Sequence, residues 1–533
     1  MSDFGTVLVS RSDIARLAGV QRPAITNWER RHGDFPAPAA GDPAAGEPEK
    51  FRADEVLAWL SGRKIPANAL RPGESAGTTY GDRFRAGLTG SRPGGLVAAV
   101  RQLAGPEADR FRGRLPLTDY LILLLTLVSR QAEDPAGWRH TADRPGFARE
   151  AGLPEQEITP QRTATLVEFL DRNPPGSAKE SREAYSYLLT RLRDIDAREG
   201  GAYLTPPSVT RVMARALARA AAGASHAHDP FCRVGELLTA YLDAVAEHGG
   251  TATVSGETPT ERELRLARMN VRLYGGDPAQ VVAGPGTPAA GSAAPVPRFD
   301  VILTNPPFGI RVPDDRQPPY WTYGPARRTE WDWIQYVAAR LAPGGRAAVL
   351  MPAGAAFNEG AAAAIRAGLV EAGLVECVMA LPAGLFALTG VKTHIWFLHD
   401  SGSPPAADAE VLFVAGEHLG HRATRTQWAL SDEDSARLVD EYVRWCEARA
   451  AGSTPAGTPG LSRAVSLRDI AGQAHRLDPA LHVRALGADT AAPTDPAAVR
   501  RRLAELGHRI RALQARAEAS DAEAARLLRR YGL

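Results

Sequence analysis

Between residues 200 and 400 the chain alternates short β-like runs with helical stretches. No other feature restricts the fold as strongly. The runs are TATVSG (251–256), FDVILTN (299–305), GRAAVLMP (345–352), LVECVMALP (374–382) and THIWFLH (393–399). Strands that alternate with helices predict a parallel sheet covered by helices on both faces. The longest strongly apolar run, Leu121–Val128 (LILLLTLV), falls far short of the roughly 20 residues of a membrane span. It predicts a buried core helix. The opening MSDFGTVLVSRSD has no charged-then-apolar signal pattern.

The 533 residues leave room for several domains around this unit. Residues 1–70 read as a small module. Ser10–Asp13 caps a helix ended by Gly19, Val20–Arg31 forms a second helix, and Arg52-Ala-Asp-Glu opens a third. Helix, Gly-containing turn and helix make a helix-turn-helix. Residues 36–48 read as a loop and 71–82 as a Gly/Ser/Thr/Pro-rich linker. Residues 83–198 carry LVAAVRQLA, YLILLLTLV, RTATLVEFLDR and YSYLLTRLRDI at helical spacing and predict a helical domain. The catalytic candidate spans 199–400, with a Gly/Ala/Pro-rich loop at 284–297. A mixed region follows over 401–495, in which LDPALHV (477–483) reads as extended. At 496–533 a helix carries a heptad seam through Leu503, Leu506, Ile510, Leu513, Ala517, Ser520, Ala524 and Leu527.

The most specific chemical signal is Asn305-Pro306-Pro307-Phe308, directly after the apolar run Asp300–Thr304. It places these groups at the carboxyl edge of a parallel sheet, where open α/β sheets bind ligands. The Asn305 side-chain oxygen and the Pro306 carbonyl can both accept hydrogen bonds from one planar amino group. That draws the nitrogen out of conjugation and frees its lone pair for attack. The prolines stiffen the loop, and Phe308 offers a flat face for a stacked base.

These residues, with others in the same order, resemble the adenine-specific DNA methyltransferases that use S-adenosylmethionine. The likeness is greatest to the modification subunit of type I restriction systems and covers roughly residues 85–400. Gly201-Ala-Tyr203-Leu-Thr205-Pro206 resembles the segment over the methionine end of the cofactor. Asp229-Pro-Phe231-Cys232-Arg233-Val-Gly235 resembles the cofactor loop. Val254-Ser-Gly-Glu257 resembles the strand whose terminal acid binds the ribose. Gly345–Pro352, Leu381–Phe386, Thr389 and Val391–Thr393 resemble later strands and loops. The resemblance implies a Rossmann-like α/β methyltransferase domain. Asn305, Pro306, Pro307 and Phe308 would be catalytic, and Tyr203, Thr205, Asp229, Phe231, Gly235 and Glu257 would hold the cofactor. Three positions depart from the pattern. Arg233 replaces a glycine, Glu236 stands where a small residue is usual, and Val281–Gly286 lacks the expected acid.

The N-terminal module resembles the winged helix-turn-helix domains of excision-control and mercury-resistance-type regulators. Ile14, Leu17, Val20, Ile25 and Trp28 would be its core. Arg22, Thr26, Asn27, Arg30 and Arg31 would lie on the exposed face of its second helix. Residues 10–31 carry a local charge of +3, which suits a major groove. The terminal stretch 495–530 holds nine Arg, from Arg500 to Arg530, against five acids. It reads as a coiled-coil contact with a specificity subunit or a second copy.

Lysine occurs only at Lys50, Lys64, Lys179 and Lys392 among 63 basic residues, so Arg abundance reflects coding bias more than partners. A net charge of +2 excludes a polybasic protein. Three distant cysteines give no disulfide framework or metal pattern and point to the cytoplasm. The expected activity is S-adenosylmethionine-dependent methylation of adenine N6 in double-stranded DNA, in restriction-modification or phage defence. Alternatives are another planar amine (cytosine N4, ribosomal RNA guanine, protein glutamine) or a DNA-binding regulator with an impaired cofactor loop.

Overall fold

The computed structural model describes residues 7–40, 49–70, 77–89, 95–198, 204–288 and 297–483, except 106, 114, 144–145, 387–389, 407, 424–426, 454 and 456, together with His508 and Arg511. Tyr203 and, apart from those last two residues, the heptad seam at 496–533 lie outside the described residues.

Strand β1 (Leu8–Ser10) leads into α1 (Arg11–Ala18). The Ser10 hydroxyl accepts from the Asp13 amide while the Asp13 carboxylate accepts from the Ser10 amide, a reciprocal cap. Gly19 ends α1 at φ 69°, a left-handed conformation that suits glycine. Helix α2 (Arg22–Arg31) follows with Pro23 in its first turn. Strand β2 (Lys50–Arg52) pairs antiparallel with β1 and runs into α3 (Ala53–Ser61). Ile14, Leu17 and Ile25 are buried together, with Val20 and Trp28 packed against them. Helix α4 (Tyr80–Thr89) also belongs here, because Phe84 is fully buried among Ile14, Phe51 and Leu60. The packing unit therefore extends beyond the boundary expected at residue 70, since three short helices need that aromatic ring to close their core.

The helical region comprises α5 (Gly95–Leu103), α6 (Ala108–Arg112), α7 (Leu117–Glu133), α8 (Phe147–Ala151), α9 (Pro160–Asp171) and α10 (Ala178–Arg198). The apolar run lies in α7, whose residues Tyr120–Ser129 are all buried, with α5, α9 and α10 contributing to the same core. Among the described residues no helix is long and apolar enough to cross a membrane.

The remainder builds one α/β unit. In chain order it contains α11 (Pro207–Ala220), β3 (His226–Asp229), α12 (Glu236–Glu247), β4 (Thr253–Thr258), α13 (Glu261–Leu273), β5 (Val281–Ala283) and β6 (Phe299–Thr304). Then come α14 (Thr329–Arg340), β7 (Leu341–Pro352), α15 (Ala361–Glu371), β8 (Val375–Ala380), β9 (Thr393–His399) and β10 (Glu410–Ala415). A small hairpin of β11 (His421–Arg422) and β12 (Trp428–Ala429) precedes α16 (Asp432–Ala450), β13 (Ser462–Ser466), α17 (Leu467–Gly472) and α18 (Pro479–Val483).

Among the described residues nine strands form one sheet in the order β13-β10-β8-β9-β7-β6-β3-β4-β5. The sheet is mixed, not wholly parallel as expected. β9 runs antiparallel to both β7 and β8, and β13 antiparallel to β10. Among the described residues no helix lies between β8 and β9 to carry the chain back, so β9 returns beside β8 in the opposite sense. Nor does the sheet end near residue 400, because β10 and β13 extend it and Val411, Phe413 and Val414 are fully buried. The stretch 477–483, expected to be extended, ends in the short helix α18, where Asp478 accepts from the Ala480 amide at 3.2 Å beside Pro479.

Period-two alternation sorts the strand side chains into two cores. Val301 and Leu303 of β6 pack with Val212, Leu238 and Tyr442 on one side, and Ile302 with Ile334 and Ile365 on the other. The helical region docks through α13, where the Tyr185 hydroxyl donates to the Leu266 carbonyl at 2.9 Å. From β3 the strand order runs outward through β4 to β5 on one side, and β6 lies on the other. This reversal opens a crevice at the carboxyl ends of β3 and β6.

Candidate active site

Four segments meet at that crevice. Strand β6 delivers Asn305, 6% exposed, with Pro306 buried and Pro307 and Phe308 half-buried. The exit of the tetrapeptide is pinned, because the Gly309 amide donates to Glu330 Oε2 at 2.7 Å and the Thr329 amide to the Ile310 carbonyl at 2.9 Å. A second Asn-Pro-Pro, Asn173–Pro175, shows what context contributes. It follows helix α9 and ends in glycine, and the Asn173 amide is tied to the Phe169 carbonyl at 2.9 Å.

Strand β3 ends in Asp229, 1% exposed, whose Oδ1 accepts from the Phe231 amide at 3.0 Å. The Cys232 amide donates to the Glu257 carbonyl at 2.8 Å and the Gly235 amide to the Cys232 carbonyl at 2.6 Å, so the loop folds against β4. Gly256 makes that approach feasible, since a Cβ there would lie 2.7 Å from Cys232 Sγ. Gly235 adopts φ 76° and launches α12. Burial raises the Asp229 carboxyl to about 8, and loss of solvent also lifts Glu236 and Glu257 above the usual carboxylate range. The half-buried Glu257 carboxylate has no hydrogen bond or ion pair among the described residues.

Arg233 does not reach into solvent. It occupies the left-handed region at φ 46°, is 7% exposed, and lays its guanidinium 4.7 Å from the Phe231 ring centre. Glu263 lies 3.7 Å from its Nη1, and its Nε has no hydrogen-bond partner among the described residues. Burial lowers its pKa, opposed by the fields of Glu236, Glu263 and Asp229. A glycine at this position would avoid the Cβ strain, a cost of order 1 kcal/mol. Phe231 continues into an aromatic wall, with Trp333 at 5.6 Å, Tyr336 at 5.7 Å from Trp333, and Tyr320 at 5.4 Å from Tyr336.

Thr205 joins the two halves of the site. Asn305 Nδ2 donates to Thr205 Oγ1 at 3.0 Å, and that hydroxyl donates to Glu236 Oε1 at 3.0 Å. The Thr205 amide donates to the same Glu236 oxygen at 3.1 Å. A cavity of about 280 Å³ opens behind this relay, lined by Thr205, Glu236, Asn270, Arg193 and Arg211.

The structure thus brings together Thr205, Asp229, Phe231, Gly235, Glu257 and Asn305–Phe308. The second-helix residues Arg22, Thr26, Asn27, Arg30 and Arg31 are all exposed on α2, in the separate N-terminal module. Arg30 donates to Asn27 at 3.3 Å. Arg11, counted in the local charge, is instead neutralised by Glu29 and Glu49. Glu236 and the aromatic wall were not singled out as site residues from sequence. An acid in the place of a small residue was the one signal for Glu236. Among the described residues no group of three or more His, Cys, Asp or Glu side chains is placed to hold a metal ion.

A family model described as N-6 DNA Methylase matches residues 181–489, more than half of the chain. The chain belongs to the N-6 DNA methylase family. Its matched span contains both the cofactor-type loop and Asn305–Phe308. The HindI methylase subunit of a type I restriction enzyme from Haemophilus influenzae is 27% identical over 280 residues, 49% of this chain and 59% of that protein. The EcoEI methylase subunit from Escherichia coli is 30% identical over 233 residues, 42% of this chain and 47% of its own length. The chain spans about half the length of the curated relatives it matches. Among solved structures, a type I methyltransferase subunit from Streptococcus thermophilus aligns with TM-score 0.51 at 18% identity, over 73% of this chain and 87% of that one. A chain from a type I restriction–modification assembly aligns with TM-score 0.55 at 20% identity, over 78% and 96%. These two share the fold of the family.

Proposed function

We propose that this chain is a DNA methyltransferase that transfers a methyl group from S-adenosylmethionine to N6 of an adenine turned out of a DNA duplex. The observation that carries this reading is the buried Asn305 amide at the carboxyl end of β6, hydrogen-bonded to Thr205 and beside the Asp229–Gly235 loop. Family membership supports the same chemistry. The site fits the cofactor on its own terms: Glu257, near the end of β4, has no hydrogen bond or ion pair among the described residues and is free to accept from a ribose, and Gly256 lets the loop pack closely on β4 by admitting Cys232. Asp229, Phe231, Thr205, Gly235 and Glu257 are the residues that would hold it, with Tyr203 in the neighbouring segment. S-adenosylmethionine, when bound, supplies an electrophilic methyl group.

The chain's own residues supply orientation. Asn305 Oδ1 and the Pro306 carbonyl accept from the two hydrogens of the target amine, and Phe308 stacks on the base. Extruding the base costs a few kcal/mol, offset by stacking and by these two bonds. The nitrogen lone pair forms the new N–C bond as the C–S bond breaks, and the extra proton leaves to water. Holding the nucleophile in line with the methyl group is the main source of acceleration. The direct test is transfer of labelled methyl groups to DNA, followed by identification of the modified base. Label in cytosine, RNA or protein instead would overturn the assignment.

Cofactor binding should depend on pH. The Asp229 carboxyl is held near 8, so it is neutral below that pH and charged above it. A cationic cofactor favours the charged form, so its affinity should rise from pH 7 to pH 9 and fall toward pH 6. Titration calorimetry across that range tests this, and a flat profile would remove Asp229 from the cofactor's electrostatics.

The N-terminal module would read or grip DNA through α2. Arg22, Arg30 and Arg31 are exposed and make no ion pair among the described residues. Exchanging Arg30 and Arg31 for Ala should weaken DNA binding and flatten the dependence of log affinity on log salt by roughly 2. An unchanged slope would make the module a protein-docking unit. A specificity subunit, or a second copy joined through the 496–533 segment, completes the proposed assembly in the cytoplasm.

A further inference from the structure

Building on the proposed methyl transfer, we infer that Glu236 is a positioning residue that fixes which end of the Asn305 amide meets the target amine. Thr205 lies between them. Its amide and its hydroxyl both donate to Glu236 Oε1, at 3.1 and 3.0 Å, and Asn305 Nδ2 donates to the same hydroxyl at 3.0 Å. A hydroxyl has one hydrogen and accepts through its lone pairs, whereas this carboxylate oxygen only accepts. The Thr205 hydrogen is therefore committed to Glu236, and only lone pairs face Asn305. Only the NH2 end of the amide can bond there, so Oδ1 is left as the acceptor for the incoming amine.

Without Glu236 the hydroxyl hydrogen is free to point at Asn305. The amide can then turn over with no change of shape and present N–H groups to another N–H donor. Two donors face to face cannot hold the base. The direction of the relay thus matters as much as its presence. Gly235, in its left-handed conformation, starts α12 so that its first residue, Glu236, meets the 204–206 segment. The second oxygen, Oε2, is shut off from solvent and has no hydrogen-bond partner among the described residues, so the carboxylate is not explained by a surface ion pair. Glu236 is also this chain's own departure from the small residue of the resembled pattern, so the relay belongs to this chain rather than to the general motif.

The test compares Glu236→Ala and Glu236→Gln with the unaltered protein in three measurements: kcat for DNA methylation, the dissociation constant of S-adenosylmethionine, and the side-chain amide NMR signals of asparagine-labelled protein. The chain has only six asparagines, and the Asn305 pair is identified by its loss in Asn305→Ala. Glu236→Ala should lower kcat by about tenfold or more, the equivalent of roughly 1.4 kcal/mol. Cofactor affinity should change by less than about threefold, and the Asn305 signals should shift. Glu236→Gln retains an acceptor for Thr205 and should restore both kcat and the signals. Unaltered Asn305 signals in Glu236→Ala would overturn the inference. So would a loss of cofactor binding matching the loss of activity without rescue by Gln, which would make Glu236 a cofactor ligand. If the unaltered protein methylates no DNA, the functional reading fails, while the amide signals still decide whether Glu236 orients Asn305.

Discussion

Asn305→Ala should lower methyl transfer by about 10²–10³-fold or more, the scale seen when one transition-state hydrogen-bonding group is removed from an active site. The amine would lose one of its two acceptors. With only the Pro306 carbonyl left, its lone pair stays conjugated with the ring and its direction is no longer set. Cofactor affinity should change by less than about threefold, because among the described residues the Asn305 side chain hydrogen-bonds to the proposed cofactor residues at Thr205 alone. The fold should survive. Thr205 keeps its bond to Glu236 when the Asn305 donor is lost, a deletion costing about 1–3 kcal/mol, within the margin of a protein of this size. Single-turnover kinetics with DNA, alongside calorimetry with S-adenosylmethionine, reads both quantities. Turnover near that of the unaltered protein would place the chemistry elsewhere.

Glu257→Ala should produce the complementary phenotype. Its carboxylate stands at the end of β4, half-buried and without a protein partner among the described residues. A carboxylate that accepts from two ribose hydroxyls is worth roughly 1.5–3 kcal/mol, so the dissociation constant of the cofactor should rise by about 10–100-fold. At saturating cofactor kcat should recover, because Glu257 does not touch the target amine. Glu257→Gln should fall between. The substitution adds no atoms near Gly284, whose position already admits the Glu257 side chain, so packing does not confuse the result. Cofactor affinity unaffected by Glu257→Ala would mean that the ribose is held elsewhere.

Much of the α/β unit is legible in the sequence because its strands are buried on both faces and read as apolar runs. THIWFLH coincides with β9 (Thr393–His399), and FDVILT with β6. Two strands next to the site escape this signal. β3 reads His-Ala-His-Asp, and its histidines are accommodated by Ser255 and Thr253 of the neighbouring strand, at 2.8–2.9 Å, with His228 stacked on Phe299 at 3.9 Å. Polar groups satisfied across strands leave no hydrophobic period to detect. β5 has only three residues, Val281–Ala283, too few for a pattern against the Gly/Pro-rich stretch that follows. The sheet's continuation past residue 400 was also hidden, because β10 and β13 are separated by the long helix α16 and meet only in the folded chain.

Within the site, the Asn-Pro-Pro-aromatic tetrapeptide is legible because its chemistry is local. A strand, two stiff residues and a ring follow one another, and their directions are set by bonded geometry. Asp229, Gly235 and Glu257 are pointed to by their order along the chain matched to the resembled pattern, since each terminates or follows its own element and is an ordinary residue when taken alone. The partner of Asn305 is not local. Thr205 is 100 positions away, and Glu236 is 31 positions from Thr205. The sense of that relay depends on which atom donates at each contact, which is set by the placement of three separate segments. The same holds for Arg233. Its residue type foretold a disturbed loop, but its inward course over Phe231 and toward Glu263 follows from the packing of α13 beside the loop. Local sequence therefore determines which groups are present at the sheet edge. Burial and the docking of distant segments decide their orientation and charge, because hydrogen-bond direction and desolvation exist only once those segments have met.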